Sequence, residues 1–398
     1  MNYELYRRAQ KSIAQASLTN SKRPEVYIKG VTPTHAVSGN GAYLITPDNK
    51  KLIDFTCALG TNLFGYGNSA IVKAISDQAK DGWLYSLGSK LEVEAAEMIK
   101  DHFQFVDKVR FVKSGTEACM AAIKIARAHT GKTVVLSAGY HGWSDDFVSL
   151  TPPGIGVPKR DFIKSFESFD QITSDVACVI VEPVITDWSE SRMKWLNELS
   201  IICKSKGVVL IFDEIITGFR WPKLCVSLWS GVTPDIILLG KACASGLPLG
   251  VIGLKSGIGA DKEWFVSGSY SGEMLSLSAM KAVFKLLKDS DHNIDDLWQE
   301  GEWFIEEMNS LYPDKIVLEG YPTRGVFKGD PHIKALFWQE CHKAGILFGP
   351  SWFFGFQHRK LRDQVVNICK DIVTNIKLNK VKLEGEMPSS PFAERIRK

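Results

Sequence analysis

The stretch 237-ILLGKACASGLPLG-250 ends an apolar run on a lysine and continues in small residues. Desolvating a bare ammonium is costly, so a lysine at the tip of a buried strand asks for a reason. An amine that serves as the reagent would be one. The same tempo recurs upstream, where KVRFVKS, TVVLSA, VACVIVEPV and GVVLIFDEI are short apolar runs separated by helix-length stretches. That alternation predicts an α/β fold whose mostly parallel central sheet is flanked by helices. Apolar spacing predicts helices over 70–81 and 91–103, and an Ala-rich helix EACMAAIKIARAHTG closed by Gly131.

Outside this region the pattern changes. GAYLITPDNKKLIDF carries PDNK between two alternating runs, a hairpin signal. After SLSAMKAVFKLLKDS come helices and a few strands, with KIVLEGYP and IKALFWQECHKAG among them, then an amphipathic helix after His358 and a polar end. We divide the chain into an N-terminal segment 1–65, a large domain 66–265 and a C-terminal small domain 266–398. The two terminal parts are expected to form one smaller α+β lobe.

Composition narrows the function classes. With 398 residues, 45% hydrophobic and 23% charged, the chain is long enough for two lobes and is ordinarily globular. A formal charge of +3 argues against a nucleic-acid or acidic-membrane partner. The eight cysteines, at 57, 119, 178, 203, 225, 243, 341 and 369, form no C-x-x-C and read as free thiols of a reducing compartment. The polar start MNYELYRRAQKSIAQ has no signal-peptide core, and no apolar run of about 18 residues occurs. A cytoplasmic protein without a membrane partner is expected.

Each motif has a bland and a chemical reading. In 109-VRFVKSGTEACMAAIKIARA-128, Ser114, Gly115 and Thr116 sit where a strand turns into a helix. The unpaired N–H groups there make a phosphate cradle, or simply a capped helix. Tyr140, His141 and Trp143 in GYHGWSDD follow a strand, where an aromatic could stack on a flat ring or just pack its own loop. Asp213 and Glu214 end the strand GVVLIFDEI, and strand alternation sends their carboxylates to opposite faces. A metal is disfavoured because no histidine or third acid lies nearby with ligand spacing. Lys241 follows 28 positions after Asp213. Taken together, a phosphate cradle, an aromatic, a carboxylate and a lysine at successive strand ends are the parts that hold pyridoxal phosphate.

SGTEA (114–118), YHGWSD (140–145), EPV (182–184), DEIITGFR (213–220) and PDIILLGKACASGLPLG (234–250) carry a resemblance to the class-III aminotransferases, fold-type I pyridoxal-phosphate enzymes. Within them the chain looks most like the glutamate-1-semialdehyde 2,1-aminomutase branch. GSYSGEMLSLSAM (268–280) matches more loosely. The resemblance implies that Lys241 binds the cofactor as a Schiff base, Asp213 pairs with its ring nitrogen, Tyr140 stacks on the ring and Ile215 packs the other face. Ser114, Gly115 and Thr116 would hold the phosphate, and Glu182 would lie near the phenolic oxygen. Ser269, in the usual threonine position, would reach the phosphate of the other subunit, which implies a homodimer with shared active sites.

The departures bear on substrate. The aminomutase S-P-V-R, whose arginine grips a carboxylate, is replaced by 30-GVTPTHAV-37. The C-terminal P-S-x-F-E-A-G-F is replaced by 350-PSWFFGFQH-358, and Lys113 stands where the family tends to have asparagine. These changes count against action on glutamate 1-semialdehyde. They favour a transaminase that moves an amino group from a donor such as glutamate to an aldehyde or ketone of a sugar-like or phosphorylated metabolite. An intramolecular aminomutase and a decarboxylase or epimerase remain the alternatives. His35, Lys113, Arg220 and Trp352 are the candidate substrate residues.

Overall fold

The computed structural model describes residues 3–150, 156–259 and 262–389. Two compact units divide the chain, one joining Met1–Asn68 to Asp295–Lys398 and the other comprising Ser69–Ile294. The helix Met274–Leu286 therefore belongs to the large unit.

In the terminal unit, after the helix Glu4–Ser12, β1 (Ser38–Asn40), β2 (Tyr43–Ile45) and β3 (Lys51–Asp54) pair antiparallel in that order. PDNK closes the β2–β3 hairpin, with Asn49 at φ +62° and the Thr46 N–H donating to Lys50 O at 3.0 Å. Asparagine tolerates this left-handed conformation better than most residues.

The large unit holds a seven-stranded sheet of β4 (Val106–Val112), β5 (Val134–Ala138), β6 (Ile163–Ser165), β7 (Val176–Val181), β8 (Val209–Asp213), β9 (Ile236–Leu239) and β10 (Gly250–Lys255). Their order is β4-β10-β9-β8-β7-β5-β6. β10 is antiparallel to both neighbours, and the remaining pairs are parallel. Because β10 alone runs backwards, the carboxyl ends of β4, β5, β7, β8 and β9 share one edge. Every residue of β7, β8 and β9 is buried, as continuous Val/Ile/Leu runs require of strands covered on both faces. The helix Gly115–Thr130 covers one face through Ile125 and through Ala118, Ala121 and Ala122, which are small enough for close approach. It ends at Gly131 with φ +69°.

β10 escaped the sequence reading because two glycines dilute its strand signal. They are needed for clearance: a Cβ on Gly250 would meet Ser114 O at 2.5 Å, and one on Gly253 would meet Ile237 at 2.8 Å.

β11 (Ile316–Tyr321), β12 (Arg324–Gly329) and β14 (Ser351–Phe353) form an antiparallel sheet in the terminal unit, and β13 (Ile346–Leu347) adds parallel to β3. KIVLEGYP thus contains β11, whereas IKALFWQECHKAG lies largely within the helix Pro331–Lys343. The core here is aromatic. Phe55 stacks on His358 at 4.3 Å and on Phe304 at 5.3 Å. Trp352, Phe353 and Phe354 belong to this core. Trp352 and Phe354 are fully buried, and Phe304 lies 6.3 and 5.4 Å from them. This run, expected from sequence near a substrate mouth, packs its rings within the unit.

Buried His342 gives the terminal unit an acid-sensitive joint. Nδ1 lies 2.7 Å from Thr32 Oγ1, which itself accepts the Ile28 N–H, and Nε2 lies 2.8 Å from Phe348 O. The neutral ring, protonated on Nε2, satisfies both contacts. Burial pulls its pKa down to about 4, against an ordinary 6.5. The unfolded chain therefore binds the extra proton first, and stability is full above pH 6.5 and falls toward pH 4. The loss amounts to about 3 kcal/mol at most. Urea midpoints measured across this window should fall in the wild type and stay flatter in His342→Gln. Parallel profiles would contradict the assignment.

Candidate active site

The five strand ends on the shared edge carry the residues singled out from sequence. Ser114 follows β4, Tyr140 follows β5, Glu182 follows β7, Asp213 ends β8 and Lys241 follows β9. In open α/β sheets, ligands bind at this carboxyl edge.

Ser114 caps the helix Gly115–Thr130, its Oγ accepting the Glu117 N–H at 3.2 Å. Glu117 Oε2 in turn accepts the Lys113 N–H at 2.8 Å. Capping and anion binding do not compete here. The N–H groups of Gly115 and Thr116 have no hydrogen-bond partner among the described residues, and they lie at the positive end of a 16-residue helix.

Ile215 links this turn to the lysine. A Cβ on Gly115 would meet Ile215 Cδ1 at 2.8 Å, and one on Gly240 would meet Ile215 Cγ2 at 3.2 Å. The missing side chains let both backbones close on the same isoleucine. Gly142 likewise brings the aromatic loop against Thr116, whose Cα would lie 2.8 Å from a Cβ there. Glu182 fixes the start of that loop, accepting the Tyr140 N–H on Oε1 at 2.7 Å. Tyr140 is 48% exposed. Lys241 has φ +46°, a strained state for a lysine and of a kind that concentrates at functional sites.

Asp213 is buried and receives three donors. Ile215 N–H donates to Oδ1 at 3.1 Å, while His141 Nδ1 and Cys119 Sγ reach Oδ2 at 2.7 and 3.4 Å. The other His141 nitrogen faces Ala138 O at 3.1 Å, so both ring nitrogens point at acceptors. Glu214 points the other way, as strand alternation predicted. It accepts from Thr217 Oγ1 and from the N–H groups of Val226 and Ser227 at 2.7–2.9 Å. Burial nonetheless pushes its carboxyl above the usual range.

The sequence reading missed His141 and Cys119 as partners of Asp213. With Asp213 they form a Cys–His–Asp cluster whose ligand atoms lie within 4.8 Å of one another. Chain spacing hid it, because the three come from a helix, a loop and a strand. A thiolate is needed to bind a metal through sulfur, yet burial first, and then Asp213, push the Cys119 thiol well above its ordinary pKa. The thiol is a hydrogen-bond donor here. Lys241 and Glu182 also act electrostatically on Cys119, which puts them in the same neighbourhood.

Of the four candidate substrate residues, Lys113 and Arg220 belong to the large unit and His35 and Trp352 to the terminal one. Lys113 Nζ pairs with Glu273 at 2.8 Å and Ser276 at 2.9 Å. Arg220 is fully buried. His35 belongs to the terminal unit and bonds Thr34 Oγ1 at 2.9 Å, and burial lowers its pKa below 6.5, so it brings no cation near neutral pH. Trp352 is a core ring, as described above. Ser269 lies on an exposed segment.

The family model for class-III aminotransferases matches residues 27–351. The chain belongs to this family. Its cofactor is pyridoxal 5′-phosphate, and its fold is that of the type-I transaminases. Among curated relatives, the class-III chain is 36% identical over 306 residues to the glutamate-1-semialdehyde 2,1-aminomutase of Desulfotalea psychrophila, covering 70% of this chain and 71% of that protein. It is 30% identical over 391 residues to the aminomutase of Wigglesworthia glossinidia brevipalpis, covering 86% and 89%. Among solved structures, the FumI protein of Sphingopyxis sp. MTA144 superposes with a TM-score of 0.87 at 21% identity over 97% of this chain and 98% of that one. An omega-transaminase from Sphaerobacter thermophilus gives 0.82 at 20% identity over 94% and 97%. Among the described residues, no helix of this class-III chain is long and apolar enough to cross a membrane.

Proposed function

We propose that the chain is a transaminase, transferring an amino group from a donor such as glutamate to an aldehyde or ketone of a sugar-like or phosphorylated metabolite. The observation that carries the chemistry is the convergence of Lys241, Asp213 and the Gly115–Thr116 helix start around Ile215 at one sheet edge. The site fits the cofactor. The N–H groups of Gly115 and Thr116 suit a phosphate, and Asp213 Oδ1 accepts only one described donor.

When bound, pyridoxal phosphate supplies an electron sink for the carbon that carries the amine. Lys241 would tether it, and its Nζ would take and return the proton at that carbon. Asp213, held by His141, Cys119 and the Ile215 N–H, would keep a carboxylate against the ring nitrogen. Gly115 and Thr116 would donate to the phosphate, Ile215 and Tyr140 would enclose the ring, and Glu182 would lie near the phenolic oxygen. Ser269 and the exposed Trp83, Tyr85, Leu87, Phe265 and Tyr270 of the same unit support a homodimer with shared sites, which sedimentation tests.

A second reading is favoured by the names of the aminomutase relatives. An intramolecular exchange would use the same lysine and aspartate. The lack of arginine in 30-GVTPTHAV-37 supports intermolecular transfer instead. Single-turnover spectra separate the two. A transaminase mixed with its donor converts the cofactor to its amine form and releases one equivalent of keto acid. If a panel of amino donors yields no keto acid while glutamate 1-semialdehyde is isomerised, the transaminase reading is wrong.

A further inference from the structure

Lys113 stands one residue before the phosphate turn, where the class-III family tends to have asparagine. Its side chain is only 18% exposed, and its ammonium faces Glu273, 13% exposed, at 2.8 Å. Four contacts converge on this pair. Lys113 Nζ also reaches Ser276 Oγ at 2.9 Å, and Glu273 accepts the N–H groups of Leu275 and Ser276 at 2.6 and 3.3 Å, capping the helix Met274–Leu286. Ser276 Oγ lies 2.7 Å from Glu273 Oε2 and 3.1 Å from Pro248 O, inside the stretch that begins with Lys241. Burial raises the Glu273 carboxyl, but Lys113 and the hydrogen bonds outweigh it, so the carboxyl is held below the usual range.

We propose that the Lys113–Glu273 pair is the positioning device for the cofactor's phosphate. It joins three pieces of the site: the Ser114–Thr116 turn, the far end of the lysine stretch and the root of the segment that carries Ser269. The pair touches neither the reacting atoms nor Asp213. Its function is to set the spacing between the N–H groups of Gly115 and Thr116 and the backbone after Lys241. An asparagine at 113 would offer a hydrogen bond without the charge that holds Glu273 ionised in a largely buried place. This inference rests on the cofactor reading given under Proposed function.

The test is cofactor affinity, measured by equilibrium dialysis of pyridoxal phosphate against the full-length apoprotein. Lys113→Met should raise Kd about tenfold or more, as expected when a charge-assisted contact is lost. Lys113→Arg should stay within about threefold, because charge and donor are kept. At saturating cofactor, kcat should change little in both. If Lys113→Met does not fold, K113M/E273Q removes the stranded carboxylate and should still show the raised Kd. Wild-type Kd in the double variant overturns the proposal, as does a loss confined to kcat. The cofactor reading fails separately, if the wild type itself binds no pyridoxal phosphate.

Discussion

Replacing Lys241 with alanine is expected to lower amino transfer by about 10^5-fold without unfolding the chain, the scale seen when a covalent catalytic group is removed. The reason lies in the position. Lys241 follows β9 at φ +46° and leads a short turn of buried Ala242, Cys243 and Ala244. Ile215 closes against Gly240 just before it, so the amine departs from a backbone that is fixed on both sides. Alanine meets the same left-handed backbone as lysine, so the change in strain is small and the fold should survive. Lys241→Arg separates chemistry from charge, since a guanidinium keeps the cation but is not a usable nucleophile. Both variants should be inactive, with far-ultraviolet circular dichroism and melting temperature near those of the wild type. Activity within tenfold of the wild type in either variant would remove Lys241 from the reaction.

Asp213→Asn is expected to cost about 10^3-fold in kcat, the size of effect associated with losing a preorganised charge. The carboxylate sits among three donors: His141, Cys119 and the Ile215 N–H. An amide keeps the volume but turns one oxygen into a donor, which would face either the Ile215 N–H or the His141–Cys119 pair. It also removes the negative charge opposite the place where a protonated ring nitrogen would lie. Steady-state kinetics with saturating cofactor should show the loss in kcat. Cofactor affinity should fall as well, while His141→Asn should give a smaller loss by loosening the same carboxylate. A kcat for Asp213→Asn within a few-fold of the wild type would mean that no charge is held there.

The distribution of what could be read from sequence follows the range of the interactions. Strand ends, the PDNK hairpin and the opposed faces of Asp213 and Glu214 depend on neighbours a few residues away, and periodicity exposes them. The Cys119–His141–Asp213 contacts span up to 94 residues and the Lys113–Glu273 pair spans 160, so nothing local signals them. Lys113 was therefore read only as a candidate substrate residue, with its Glu273 partner out of sight. The packing of the PSWFFGFQH rings was illegible for another reason: an aromatic looks the same whether its ring meets solvent or Phe304. Arg220 shows the same limit, since a charged side chain is normally exposed and this one is fully buried.

The central claim, that Lys241 is the cofactor's anchor, is tested most directly by treating the pyridoxal-phosphate-loaded protein with borohydride and mapping the modified peptide by mass spectrometry. Borohydride makes the bond between the cofactor and its lysine permanent. The account predicts a single phosphopyridoxyl group on Lys241, within ILLGKACASGLPLG, and none in Lys241→Ala. Modification of a different lysine, or of none in protein shown to contain the cofactor, would contradict it.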